Sequence, residues 1–257
     1  MGHSHSQPSA ALHLPPSLTH TGLPPRIAAA YEKSWTKITI LLSDATTPNA
    51  PTGYAITLDQ GWYGSMTMRA GPRTEDPALA EVQPAGRMRQ DFAVGLPALG
   101  PDAPQRAEVL RYVVGWKREM YWFAMEVGNG NGARQVERFE WRRSRGGEVK
   151  GVEGGSGWGW KLVRMGAGEA GAAAAEGHGH AEEGVDGLTS DGKEVVAVWA
   201  NPGTLSLTKL GQFEFRGSGA TGELGLLWSI MAVMSCMCIW QKTMQSAITT
   251  GVVAGAA

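Results

Sequence analysis

The sequence predicts a mainly β protein, a closed antiparallel β-barrel of about twelve strands around a central hydrophobic C-terminal helix. Three observations carry this expectation. Glycine and proline are abundant, at 36 and 14 of 257 residues, which excludes a helical bundle because both break helix interiors. Short β-branched and aromatic runs recur between Gly, Pro, Asn or Asp turns, the pattern of a strand meander rather than of alternating strands and helices. Finally, Leu224 to Trp240 reads LGLLWSIMAVMSCMCIW, without a single charge.

Along the chain, residues 1–30 are rich in His, Ser, Pro and Thr, and the pairs Pro15-Pro16 and Pro24-Pro25 favour extended backbone. This stretch reads as a disordered arm. It lacks the apolar core of a secretory signal, so a cytoplasmic protein is expected. The barrel is expected over 31–245. Its strands are Lys37 to Ser43, Gly53 to Asp59, Ser65 to Arg69, Ala78 to Gln83, Arg87 to Val94, Val109 to Trp116 and Glu119 to Val127. The series continues with Gln135 to Trp141, Trp158 to Met165, Glu194 to Ala200, Thr204 to Lys209 and Gln212 to Arg216. Turns are marked by Gly128-Asn129-Gly130-Asn131-Gly132 and by Ser144-Arg145-Gly146-Gly147. An acidic, alanine- and glycine-rich stretch, 166–193, reads as a disordered insertion, and 246–257 as a flexible tail. The formal net charge is -1, which does not support a nucleic-acid binder held by bulk positive charge. Without the arm and the insertion the remainder holds 21 basic and 18 acidic residues, so the folded part is mildly basic.

The apolar segment, a helix expected over 223–243, carries hydrophobic residues on every face. Such a helix is either buried all round or inside a bilayer. Seventeen residues span about 26 Å, slightly less than the hydrocarbon core of a membrane, and small residues such as Gly225, Ser229, Ala232 and Ser235 suit a helix crowded by strands. Cys236 and Cys238 are two apart within it, so they point to different faces and read as small buried hydrophobes with no disulfide partner.

The motifs give a short set of candidates. Gly217-Ser218-Gly219-Ala220-Thr221-Gly222 has the G-x-G-x-x-G spacing that lets pyrophosphate approach a helix N-terminus. No acidic residue follows about 20 positions later, so a hinge between barrel and helix is the better account. All six histidines lie in the two biased stretches, which leaves the strand-rich part without an imidazole base. His178-Gly179-His180 lacks a fixed third ligand, and no metal or cofactor is expected. Arg142, Arg143, Arg145 and Lys150 surround a glycine-rich turn, and Lys117 with Arg118 marks a second tip. Cations at loop tips suit the phosphates of anionic lipid headgroups. Gly2, in Met1-Gly2-His3-Ser4-His5-Ser6, fits the N-myristoylation pattern.

The segments FEWRRSRGGEVK, SGWGWKLVRM, EVVAVWA and TLSLTKLGQFEFRGSGATGELG, followed by the apolar run, resemble the tubby-like superfamily, which includes tubby C-terminal domains, LURP-one-related proteins and phospholipid scramblases. The resemblance covers residues 35–243 and is strongest from Phe139 onward. It implies a closed barrel wrapping a central hydrophobic helix, and a non-enzymatic domain that binds anionic phospholipid such as phosphoinositide, or a protein partner. The C-terminal signature of tubby proteins is absent, so their phosphoinositide-binding residues have no counterparts here. Calcium ligands of the scramblase kind are not recognisable. Two alternatives stand beside it: a C-terminally anchored membrane protein with 224–240 in the bilayer, and a nucleotide-binding oxidoreductase using the GSGATG turn.

Overall fold

The structure, a computed structural model, describes residues 11–32, 38–86, 89–100, 103–114, 119–128, 134–152, 155–166, 187–202, 208–249 and 251. Gly2, Lys117, Arg118, residues 167–186 of the insertion including His178 and His180, the 129–133 part of the glycine turn, the 204–207 part of the strand expected over Thr204 to Lys209 and the last six residues lie outside them. Twelve strands are described: β1 Arg26–Tyr31, β2 Ile38–Asp44, β3 Thr52–Leu58, β4 Met66–Arg69, β5 Ala78–Ala85 and β6 Asp91–Leu96. The rest are β7 Arg106–Val114, β8 Glu119–Gly128, β9 Arg134–Ser144, β10 Gly155–Gly166, β11 Glu194–Pro202 and β12 Lys209–Phe215. Helices α1 Pro16–Thr21, α2 Gly147–Lys150 and α3 Gly217–Ala220 are short, and α4 runs over Leu226–Thr249.

Each strand pairs antiparallel with its neighbour in sequence, and β1 pairs with β12, so the sheet closes into a barrel with no edge. Inside it lies α4. Among its residues Leu227, Trp228 and every position from Ile230 to Gln241 are buried, which matches a run that is apolar on all faces. Twelve strands spaced about 4.8 Å and tilted about 40° give a barrel radius of roughly 12 Å. Subtracting the roughly 2.3 Å radius of a helix backbone leaves about 10 Å, the gap filled by two layers of side chains. The inward rows supply one layer. Ile40 and Leu42, Ile56 and Leu58, Phe92 and Val94, Phe123 and Met125, and Phe139 and Trp141 alternate along their strands and join the helix in one core.

Aromatic contacts and one hydrogen bond fix the helix in place. Trp228 packs against Phe139 and Phe215, with ring centroids at 5.5 and 6.0 Å. Half-way along, Trp141 Nε1 donates to Ser235 Oγ at 2.8 Å, and Ser235 in turn donates to the Ala232 carbonyl. A buried indole N–H left without an acceptor is costly, so this serine is the polar register mark between helix and β9.

The structure departs from the sequence expectation at both ends of the chain. Residues 26–30, expected in a disordered arm, form most of β1, which pairs with β2 and β12. Upstream of it, Leu18 is buried in the core, with Leu14 and Leu23 packed against it, and the His13 amide donates to the Ala78 carbonyl. Leucines spaced among prolines gave no periodicity, yet they plug the mouth of the barrel where α4 begins. At the C-terminus α4 continues through 246–249, expected as tail. The 187–193 part of the expected insertion is also ordered: Leu188 bridges to Glu194, and Thr189 accepts from the Lys193 amide.

A chain truncated at Glu223 loses the contents of the barrel and should give no cooperative unfolding transition by circular dichroism. Met231→Asp, which places an unpaired charge among core residues, should be as damaging. Ser235→Ala should fold with a stability loss of about 1–3 kcal/mol in urea unfolding, the cost of orphaning the Trp141 donor.

Candidate functional site

Because the barrel is up-and-down, alternate connections share an end, and α4 leaves through the end carrying the β1–β2, β3–β4, β5–β6, β7–β8, β9–β10 and β11–β12 connections. At this exit the helix is stitched to the rim. Gln241, fully buried, donates from Nε2 to the Trp62 and Gly64 carbonyls at 2.9 and 3.1 Å, and Lys242 Nζ donates to the Arg89 carbonyl at 2.8 Å. Tyr31, Trp62 and Trp240 form a ring cluster with centroids 5.5–6.3 Å apart.

The basic residues singled out in the sequence fall into distinct roles. Arg142 is committed to the protein: it pairs with Glu140 at 2.9 Å and with Asp191 at 3.0 Å. Burial opposes its charge, but the Asp191 and Glu140 contacts outweigh that and push its pKa up. Arg143 points toward the mouth, stacks over the Trp160 ring with its guanidinium carbon 5.0 Å from the centroid, and pairs with Glu119. Arg145 and Lys150 are exposed and form no ion pair among the described residues. Instead of a simple hairpin tip, their connection contains α2, whose Val149 packs with Val152 on Val195, Val198 and Ala200 outside the barrel. Glu148 bonds Ser144 and Lys161. Burial raises the Glu148 carboxyl, but these partners bring it below the usual carboxylate range. The loop that displays Arg145 and Lys150 is therefore held at both faces.

Between the end of α4 and strands β9–β11 the mouth opens as a small cleft. Arg143, Trp158, Trp160, Trp199, Asn201 and Trp240 line it, with Cys236 at its floor. Gly159 lets β10 and β11 approach closely enough to form it, since a Cβ there would collide with the Trp199 carbonyl oxygen. Trp199 Nε1 donates to Asn201 Oδ1 at 2.9 Å. Burial pushes both the Cys236 and Cys238 thiols well up, so neither is a poised nucleophile. The sequence reading missed this cleft, although Gly157-Trp158-Gly159-Trp160 marks two large rings on one face of a strand.

Among the described residues, the helix-exit connections and the last turns of α4 carry Arg89, Arg145, Lys150 and Lys242 beside Glu32, Asp59 and Glu148. The opposite end carries Arg73, Lys193 and Arg216 beside Glu75, Asp76, Asp191 and Glu223. At the exit Arg89, Arg145 and Lys150 are exposed.

The opposite end contains the GSGATG turn. Its α3 is a single turn, and its donors are taken: Ser218 gives its amide and its hydroxyl to Glu194 at 2.6 and 2.9 Å. Gly219 is required because a Cβ there would strike the Val196 carbonyl and the Trp228 ring. Arg164 ties the turn to the barrel through a bidentate pair with buried Glu137 at 2.6 and 2.8 Å and contacts to Ser218 and Glu223 at 3.1 and 3.0 Å. Burial raises the Glu137 carboxyl, but hydrogen bonds from Arg164 and Gln135, with the charge of Arg164, hold it below the usual range.

Fold and site define a class of protein, a helix-filled up-and-down β-barrel with a tryptophan-bearing mouth. The chain matches no known protein-family model, no curated protein and no solved structure.

Glu137→Gln should cost about 1.5–3 kcal/mol, the range for hydrogen bonds to charged groups. A carboxyl whose folded pKa is lowered contributes stability that is complete above its unfolded value of about 4.3 and is lost as pH falls through the folded value. Urea midpoints between pH 7 and 3 should accordingly fall less steeply in Glu137→Gln than in the parent.

Proposed function

We propose that this protein is a non-enzymatic, tubby-like barrel that binds anionic membrane phospholipid, including phosphoinositide, peripherally through its helix-exit end. One observation carries the proposal: Arg145 and Lys150 stand exposed at that end, on a loop held by Val149 and Glu148, and form no ion pair among the described residues. A surface of negative lipid attracts such a molecule in one orientation, with each near-surface cation contributing about 1 kcal/mol. The closed twelve-strand barrel around a C-terminal helix supports the tubby-like part. Enclosure of α4 weighs against its use as a bilayer span, although it is long and apolar enough by composition, because 78% of its most apolar window is buried in the barrel. The filled donors of the GSGATG turn weigh likewise against a nucleotide there.

The test is sedimentation with vesicles of neutral phosphatidylcholine, alone or with phosphatidylserine or phosphoinositide. Binding is expected only with the anionic lipids, and it should weaken as salt rises. Arg145→Ala with Lys150→Ala should lower affinity on the order of 30-fold, two cations at about 1 kcal/mol each. Arg142→Ala should leave it unchanged, because Arg142 is already neutralised by Glu140 and Asp191. Equal sedimentation with neutral and anionic vesicles, or indifference to the Arg145 and Lys150 changes, would refute the proposal.

A further inference from the structure

We infer that the helix-exit end docks on the bilayer and inserts apolar prongs, so that α4 stands along the membrane normal without entering the hydrocarbon core. The inference rests on the lipid-binding proposal and adds how the surface is engaged. Four large hydrophobic residues are exposed at this end: Tyr63 at 56%, Val114 at 68%, Trp158 at 42% and Ile248 at 36%. Each stands at a different station. Tyr63 lies between β3 and β4, Val114 closes β7, Trp158 lies near the start of β10, and Ile248 is on the last turn of α4 in the middle.

Tyr63, Val114 and Trp158 belong to three separate stretches of the rim and Ile248 to the end of the helix, so these exposed apolar groups are gathered at one end of the barrel. Their placement is also firm. Tyr63 Oη lies 3.4 Å from Thr249 Oγ1, joining rim to helix end, and Trp158 sits beside Gly159, which is pressed against β11. Trp and Tyr favour the headgroup level of a bilayer, where a ring is apolar on its faces and polar at its N–H or O–H. Around them Arg89, Arg145 and Lys150 are exposed, which suits a partner that is both apolar below its surface and negative upon it. Of the other exposed large hydrophobics among the described residues, Leu99 and Leu188 lie at the opposite end, and Val109 and Val136 lie on strands.

The two native cysteines are buried, so a single introduced cysteine can carry an environment-sensitive dye. We expect the dye on Val114→Cys or Ile248→Cys to shift to the blue on phosphatidylserine vesicles and to be quenched by lipids brominated in their chains. The dye on Leu99→Cys, at the opposite end, should not respond. Tyr63→Ser combined with Trp158→Ser, both at exposed positions, should weaken vesicle binding about tenfold while leaving its salt dependence intact, whereas Arg145→Glu with Lys150→Glu should flatten that dependence. If vesicle-bound protein keeps the 114 and 248 dyes in a polar setting and unquenched, insertion is wrong while lipid binding by charge survives. If the Leu99 dye responds instead, the end assignment fails. If the parent protein binds no anionic vesicle, both proposals fall together.

Discussion

A helix that is apolar on every face cannot rest on a flat sheet, because half of it would remain in water. Leu227, Trp228 and the run from Ile230 to Gln241 are buried, and only a sheet that returns on itself can bury them all. This requirement sets the rest of the architecture. The β1–β12 pairing is the closure, and twelve strands give the radius at which one layer of inward side chains meets one layer on the helix. The core is thus contributed in two parts, the inward rows of the strands and the C-terminal helix. Polar groups inside are few and specific, with Ser235 answering Trp141 and Gln241 answering two rim carbonyls.

A filled barrel has two mouths, and the chain treats them differently. Where α4 begins, the N-terminal leucines Leu14, Leu18 and Leu23 pack into the opening, and Arg164 gathers Glu137, Glu223 and Ser218 into a polar seal. Where α4 ends, the helix itself is the stopper, and the tryptophan-lined cleft is left beside it.

Most of the barrel is legible in the sequence because strand and turn chemistry are local. Glu119 to Val127 and Glu194 to Ala200 match β8 and β11 nearly residue for residue. The apolar run announces its own burial. What escapes is whatever depends on partners distant in the chain. β1 hides between Pro24-Pro25 and a lysine-bearing loop, and its Ala28, Ala29 and Ala30 give no alternating hydrophobic signal, yet β2 and β12 provide the ladder on both sides. Arg142 and Arg143 look alike in the sequence. Only the fold shows that one is half-buried against two carboxylates and the other stacks in the mouth.

The GSGATG turn shows why spacing alone does not make an anion site. Its glycines do expose backbone and hydroxyl donors, and those donors do hold an anion, but the anion is the carboxylate of Glu194 from the same chain. A phosphate entering there would have to displace Glu194 and then lie near Glu137 and Glu223, with Arg164 already shared among them. That exchange replaces an internal ion pair by like-charge repulsion. At the other end Arg145 and Lys150 are exposed, form no ion pair among the described residues, and stand on a loop fixed by Val149 and Glu148.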